Sequence, residues 1–196
     1  MNVKISKKIF WLIAGCLIAT AGVIRAQSPK IVSHSSSVTI YGTSNLHKWE
    51  MKVAQFGGDI SSSATKQITS LVVKIPVQSI KSESSIMDGK AYDALKSKQN
   101  PNIIFQLSEA APIHFANKDV EVTLSGNLTV AGVTKKITFK STGKMIAEKS
   151  CQLTGSVPLK MTQFGMKPPT AMLGALKTGD DITVKFVVTL DNITTD

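Results

Sequence analysis

Histidine is the residue type most often used for acid–base catalysis and for metal binding, and this sequence of 196 residues contains three. His34, His47 and His114 stand far apart in the chain, with no second ligand at the short offsets typical of a zinc site. His47 and Glu50 could form a general base with its orienting group, but no nucleophile can be placed beside them. A half-buried histidine that satisfies a turn beside packed Trp49 is the favoured interpretation. We therefore predict no metal site.

The other groups that could do chemistry are equally scattered. The serines lie outside any Gly-x-Ser-x-Gly motif of the kind that hydrolases use. Asp88 and Asp93, about 140° apart around a helix, would fall on different faces and could not act as a carboxylate pair. Residues 126–132 lack the Gly-Lys-Ser/Thr ending of a phosphate loop. The sequence therefore favours a binding protein over an enzyme and implies no cofactor.

Eight segments show the period-two alternation of apolar residues that is typical of strands with one buried face. Their apolar positions are Val38 and Ile40; Trp49, Met51 and Val53; Leu71, Val73, Ile75 and Val77; Ile103, Phe105 and Leu107; Val120, Val122 and Leu124; Ile137 and Phe139; Leu153, Val157 and Leu159; and Ile182, Val184, Phe186, Val188 and Leu190. Turn-forming residues separate them at 56–59, 125–127 and 177–180. Because no strand–helix–strand rhythm appears, we predict an all-β fold of about eight antiparallel strands.

Such strands can close into a barrel or pack as a sandwich, and periodicity does not choose between the two. With 42% hydrophobic and 18% charged residues, the chain can build the core of one ordinary domain. An eight-stranded barrel would enclose either packed side chains or one small ligand. A carrier therefore predicts an apolar tunnel of several hundred Å³, whereas a structural or adhesive domain predicts a filled barrel.

Two segments break the strand pattern. Residues 84–98 place Met87, Ala91, Ala94 and Leu95 at helical spacing, and Ser85 followed by Asp88 resembles a capping box. Residues 168–176 form an apolar stretch without alternation, which we expect to cover one end of the barrel. Met166, just before this stretch, and Met172, Leu173 and Leu176 within it would need a packed partner or a ligand to shield them from water. We thus predict a short helix and an apolar loop beside the strands.

The first 26 residues have the layout of a secretory signal peptide. Lys4, Lys7 and Lys8 precede an apolar run over residues 9–23, and Ala26 precedes Gln27, where we expect the mature chain to begin. The run is shorter than the roughly 18 residues of a membrane-spanning helix. A minority alternative is a lipoprotein anchored through Cys16. The protein is expected to be periplasmic or secreted, with residues 27–196 as its single domain.

Basic residues outnumber acidic ones, but they are dispersed. The formal charge of +10 falls to +6 once Lys4, Lys7, Lys8 and Arg25 are removed, and Lys135-Lys136 is the only doublet left. Nucleic-acid binders concentrate charge on one stripe, so nucleic acid is not an expected partner. A weak contact with anionic membrane surfaces stays open, as does a homodimer. Cys151 would be the one cysteine after cleavage, and we expect it to be buried.

Four motifs, in order along the chain, resemble those of one family. The first resembles the opening strand pair of many YceI-like proteins of Bacteroidetes-type bacteria. The second resembles the family's next strand and its helix, the third its "P-x-I-x-F" strand, and the fourth its "G-x-L-T-x-x-G-V-T-K" turn. They are Tyr41-Gly42-Thr43-Ser44-Asn45-Leu46-His47-Lys48-Trp49-Glu50; Ile75-Pro76-Val77-Gln78-Ser79-Ile80 with Met87-Asp88 and Leu95-Lys96; Asn100-Pro101-Asn102-Ile103-Ile104-Phe105; and Gly126-Asn127-Leu128-Thr129-Val130-Ala131-Gly132-Val133-Thr134-Lys135. The resemblance covers residues 33–191.

This resemblance implies an exported, lipocalin-like extended barrel that binds a long apolar molecule: a polyisoprenoid, an isoprenoid quinone or a fatty-acyl lipid. An envelope enzyme and a structural or adhesive domain are the alternatives. Inward strand positions, the helix and the apolar loop supply the residues that we expect to contact the ligand. They are Trp49, Met51, Val73, Ile75, Met87, Phe105, Leu107, Val122, Leu124, Phe139, Met172, Leu176, Val184, Phe186 and Val188.

Overall fold

Period-two alternation in the sequence becomes one antiparallel sheet in the structure. The protein is described by a computed structural model over residues 29–63 and 65–193. The expected signal peptide, Cys16 and the start at Gln27 lie outside the described residues. Within them are thirteen strands and one α-helix: β1 (Lys30–Ile31), β2 (Ser37–Ser44), β3 (Lys48–Val53), β4 (Gly57–Ser63), β5 (Gln67–Pro76), β6 (Ile80–Lys81), α1 (Ser85–Ala94), β7 (Asn102–Leu107), β8 (Ala111–Ala116), β9 (Asp119–Val130), β10 (Val133–Ala147), β11 (Ser150–Lys160), β12 (Thr170–Ala171) and β13 (Leu176–Asp191).

The strands follow one another around a curled sheet. Its order is β4-β5-β7-β9-β10-β11-β13-β2-β3-β6, with β1 and β12 paired to β13 and β8 paired to β5 and β9. Every strand pair is antiparallel. Because β1 also contacts β4, the sheet curls until its far strands meet around one core. The predicted all-β, antiparallel, lipocalin-like class is confirmed.

The strand number is larger than predicted. All eight predicted strands are present, and β1, β4, β6, β8 and β12 are added to them. Three of the additions are only two residues long, and β4 has a single buried apolar residue, Ile60. Alternation requires several apolar residues in register, so these four strands left no period-two signal. β8 does alternate, through Ala111, Ile113 and Phe115, and was missed.

The three predicted turns were wrong. Gly57, Gly58 and Asp59 begin β4, residues 125–127 lie inside β9, and residues 177–180 lie inside β13. Gly126 faces a neighbouring ring, because a Cβ atom there would be 2.5 Å from Cζ of Phe105. Glycine in these strands marks the close approach of another side chain or backbone group, or a register shift. The chain continues extended through it.

Helix α1 is confirmed, but its cap differs from the prediction. Ser84, rather than Ser85, is the N-cap, and its hydroxyl accepts a hydrogen bond from the Met87 amide. The buried Asp88 carboxylate instead accepts bonds from the Ser82 amide and hydroxyl, both at 2.7 Å. Lys81 lies 3.7 Å from the other carboxylate oxygen. Asp88 thus connects the first turn of α1, through hydrogen bonds, to the residues that follow β6.

This arrangement makes the attachment of α1 sensitive to acid. Burial opposes ionisation of Asp88, but the bonds from Ser82 and the charge of Lys81 outweigh it, so the pKa of Asp88 is lowered. A carboxyl group with a lowered folded pKa contributes stability above its unfolded pKa of about 4, and this is lost as pH falls through the folded pKa.

Asp88→Asn is expected to reduce the free energy of unfolding by about 1–2 kcal/mol at neutral pH, because it removes charge-assisted hydrogen bonds. The measurement is thermal melting of both proteins from neutral to acidic pH. The difference in Tm should shrink below pH of about 4, where the wild type also loses the charge. A difference that stays constant over this range would show that the carboxylate charge is not responsible.

One end of the barrel is closed by packing. Ala111, Val120, Cys151 and Ile193 lie at the ends or starts of neighbouring strands there, each at most 5% exposed. Burial, followed by the charge of Asp191, raises the pKa of the Cys151 thiol to about 12. Cys151 is therefore a protonated core residue, in agreement with the expectation that it is buried.

Candidate functional site

A cavity of about 630 Å³ occupies the interior of the barrel. Apolar side chains from nearly every strand form its wall, and α1 lies across it through Met87, Ala91 and Leu95. The connections from β2 to β3, from β5 to β7 through α1, and from β11 to β13 all leave the barrel at the end opposite the closed one. The barrel is therefore an apolar chamber rather than a filled core.

Thirteen of the fifteen nominated residues line this cavity. They are Trp49, Met51, Val73, Ile75, Met87, Phe105, Val122, Leu124, Phe139, Leu176, Val184, Phe186 and Val188. The period-two alternation thus identified the inward face of each strand. Contact between these residues and a ligand stays a prediction.

Two nominated residues lie elsewhere. Leu107 shares the inward face of β7 with Phe105, but it ends the strand towards the closed end and packs against the core outside the cavity. Met172 is 73% exposed and points away from the chamber, as does the fully exposed Leu173. The expectation that Met172 shields the interior was therefore wrong, whereas Leu176 does face it.

Several lining residues were not nominated although they continue a nominated face by two positions. Ile103 precedes Phe105, Ile137 precedes Phe139, and Ile182 precedes Val184, and each lines the cavity. Each of them already belonged to an alternating run, so nominating every apolar position of these runs would have found them. Ile60 on β4 and Phe164 after β11 gave no such signal, because neither belongs to an alternating run.

Aromatic rings in the wall lie over glycines of the next strand. Phe186 covers Gly155, Phe105 covers Gly126, and a Cβ atom on either glycine would lie 2.5 Å or less from a ring carbon. Phe139 bridges the two rings, with centroids 5.5 Å from Phe105 and 5.8 Å from Phe186. Because each glycine leaves room behind a ring, the rings can lie against the wall and keep the chamber open.

Polar side chains reach the cavity almost only at its open end. Those that do are Ser44, His47, Ser84, Lys90, Thr170 and Thr178, from the three connections described above or the strand ends beside them. The exception, Ser141, lies in the wall and donates its hydroxyl to the Thr154 carbonyl. The chamber therefore offers an apolar interior and a single polar mouth, which is the distribution needed to hold an apolar chain with one polar end.

The pairing of His47 with Glu50 is not formed. His47 faces the mouth, whereas Glu50 lies on the outer face of β3, 3.6 Å from Lys52. Within the described part of the chain, no three His, Cys, Asp or Glu side chains form a group that could hold a metal ion. Among residues 29–63 and 65–193, no helix combines the length and hydrophobicity needed to cross a bilayer.

Comparisons with known proteins agree with this architecture. BcnA of Burkholderia cenocepacia is 18% identical with a TM-score of 0.66, over 82% of this chain and 99% of that one. A polyisoprenoid binding domain from Saccharophagus degradans, implicated in plant cell wall breakdown, is 13% identical with a TM-score of 0.65, over 84% and 98%. The YceI protein of Campylobacter jejuni is 20% identical with a TM-score of 0.55, over 69% and 80%.

These structures share the fold of this chain at low sequence identity. No curated protein sequence matches it. The family model for the YceI-like domain matches residues 30–190, which is most of the chain and nearly all of its described strands. The chain belongs to the YceI-like domain family.

Proposed function

We propose that this protein is an exported binding protein that holds a long apolar molecule in its barrel. The ligand class is a polyisoprenoid, an isoprenoid quinone or a fatty-acyl lipid. The observation that carries the proposal is the 630 Å³ chamber, with an apolar wall and polar groups at one mouth. A polyisoprenoid binding domain with the same fold supports this ligand class.

The physical driving force is burial of the ligand's apolar surface. Each Å² of apolar area removed from water contributes about 25 cal/mol, so a few hundred Å² gives several kcal/mol before the cost of association. Side chains do not fill the interior of the barrel, which favours a carrier over a purely structural or adhesive domain with a packed interior. An envelope enzyme is less favoured because His47, just before β3, lines the mouth, whereas Glu50 lies on the outer face of β3 beside Lys52.

Ligand affinity is expected to depend little on salt. The wall of the cavity carries a single lysine, Lys90, so binding releases few counterions. Titration of a fluorescent prenyl or fatty-acyl probe at low and high ionic strength measures this. The dissociation constant should change by less than about threefold, which is under 1 kcal/mol.

A steep fall in affinity with salt would contradict this prediction and would indicate recognition of a charged head group instead. Organic extraction of natively purified protein, followed by mass spectrometry, then identifies the bound molecule. Repeated failure to recover any apolar molecule, together with absence of probe binding, would refute the carrier.

Export and maturation near Gln27 are part of the proposal. The basic, apolar and small-residue layout of residues 1–26 supports them. The intact mass of the natively purified protein tests the cleavage point, and a diacylated Cys16 would replace it by the lipoprotein alternative. A homodimer also stays a prediction.

A further inference from the structure

Large apolar side chains project into solvent around the mouth of the cavity. Leu46 is 66% exposed, Ile86 is 74% exposed, Met172 is 73% exposed and Leu173 is fully exposed. Most large hydrophobic residues of the chain face the core, so a group of four at one end needs an explanation. We call these four residues the apolar rim.

Hydrogen bonds from Asn45 connect two of the segments that carry the rim. The Asn45 side chain donates to the Ala175 carbonyl at 2.9 Å and accepts from the Lys177 amide at 2.8 Å. The Asn45 amide also donates to the Lys177 carbonyl. These bonds place Leu46 beside the turn that carries Met172 and Leu173. Ile86 completes the rim because it lines the same cavity from the first turn of α1.

The turn holds its two side chains outward at a conformational cost. Met172 and Leu173 have φ of 52° and 56°, followed by Gly174 at 92°. Only the glycine adopts this left-handed backbone without penalty. Two large apolar residues are therefore kept in an unfavourable conformation in which their side chains are mostly exposed to solvent. Such local strain occurs most often where a segment serves binding.

Positive charge surrounds the rim. Lys48, Lys90, Lys167 and Lys177 are exposed and belong to the segments that carry or border the rim. Among the described residues, none of these four lysines forms an ion pair with a carboxylate. The mouth therefore combines apolar side chains with free cations.

The carboxylates near the mouth offset only part of this charge. Asp88 is bonded to Ser82, Asp180 accepts bonds from Thr162, and Asp181 pairs with Lys160 at 2.6 Å. Glu50 lies beside Lys52. Glu83, just before α1, and Asp93, within α1, are exposed carboxylates near the mouth that form no ion pair among the described residues.

We propose that the apolar rim and its four lysines form a docking surface for an anionic lipid bilayer. Exposed apolar residues that enter the acyl boundary, flanked by lysines at the level of the head groups, are the features by which proteins attach to such surfaces. A second copy of the chain fits less well, because a two-fold contact would bring the lysines of one copy against those of the other.

The docking surface lies at the mouth of the cavity, which suits it to ligand transfer between membrane and barrel. This role rests on the proposed function. The rim residues belong to the three connections at the polar mouth, so a docked protein would present its chamber directly to the membrane. An apolar ligand could then pass between bilayer and cavity without crossing water, where its exposed surface is costly. Docking itself needs no ligand, so the two proposals can be tested separately.

Co-sedimentation with vesicles tests the docking surface. One set of vesicles contains only phosphatidylcholine, and the other also contains phosphatidylglycerol. We expect the wild type to bind the second set more tightly and to lose this preference at high salt. Met172→Ser/Leu173→Ser should reduce binding at least about tenfold, and Lys167→Gln/Lys177→Gln about thirtyfold.

The closed end of the barrel provides matched controls. Ile146→Ser removes an apolar residue that is 57% exposed, and Lys118→Gln/Lys149→Gln removes two exposed lysines. Both control variants should bind anionic vesicles like the wild type. Equal losses in rim and control variants would overturn the proposal, as would a wild type that does not bind anionic vesicles.

Binding of the prenyl probe in vesicle-free solution separates this proposal from the proposed function. Both rim variants should keep wild-type probe affinity, because none of their four substituted residues lines the cavity. Vesicle binding without probe binding would sustain docking and refute the carrier, and the reverse result would refute docking alone. A rim variant that converts a wild-type dimer to a monomer would overturn docking in favour of a second copy.

Discussion

Val184→Trp is expected to lower the affinity for a prenyl or fatty-acyl probe about a hundredfold or more, which corresponds to roughly 2.7 kcal/mol. Val184 lies in the middle of β13, between Val157 of β11 and Ile40 of β2, and all three line the cavity. An indole ring at this position would occupy the space that the ligand needs. Fluorescence titration of the probe measures the loss.

The substitution should leave the fold intact. Because the side chain enters an open chamber, overpacking is avoided, and the free energy of unfolding should change by less than about 1 kcal/mol. Lys185→Trp is the matched control, since it places the same side chain one residue further on the outer face of β13. Unaltered probe binding by a folded Val184→Trp variant would show that the ligand does not enter the barrel.

Gly155→Ala is expected to destabilise the protein by about 2–3 kcal/mol, although it adds only one methyl group. A Cβ atom at this position would lie 2.1 Å from Cζ and 2.5 Å from Cε1 of Phe186. The ring would have to swing from the wall into the chamber and give up its edge contact with Phe139. Chemical denaturation measures the stability, and the probe titration should show weaker binding.

Two further variants identify the cause of this effect. Gly57→Ala adds the same methyl group to β4, where no atom lies within 4 Å, and should change stability by less than about 0.5 kcal/mol. Phe186→Leu in the Gly155→Ala background removes the clashing ring atoms and should restore part of the loss, with a coupling energy above about 0.5 kcal/mol. If the effects of the two substitutions on stability are additive, the position of the Phe186 ring does not depend on glycine at residue 155.

The eight runs of alternation that we identified predicted their strands and the correct inward face. The reason is local: successive side chains of a strand point to opposite sides, so apolar residues at every second position must share one face. Helix α1 was predicted for the same reason, through the spacing of Met87, Ala91 and Leu95. The sequence motifs also indicated the family that the model match over residues 30–190 establishes.

Tertiary contacts decided whether a glycine lies in a turn or inside a strand. Gly58 and Gly126 were interpreted as turns because glycine is common there, yet both lie in strands. A Cβ atom on Gly58 would be 2.1 Å from the Val72 carbonyl oxygen, and one on Gly126 would meet Phe105. The partner that makes glycine necessary is distant in the sequence, so no local pattern contains it.

The sequence by itself determined an all-β chain whose alternating faces form an apolar interior. Only the tertiary structure decided where that interior is empty, where it is packed and which end opens. Leu107 and Phe105 share a face, but Phe105 lines the chamber and Leu107 packs near the closed end. Met172 and Leu176 share one apolar segment, but Met172 is exposed to solvent whereas Leu176 lines the chamber. Periodicity specifies the side of a strand, whereas depth along the barrel depends on how all the strands are staggered against one another.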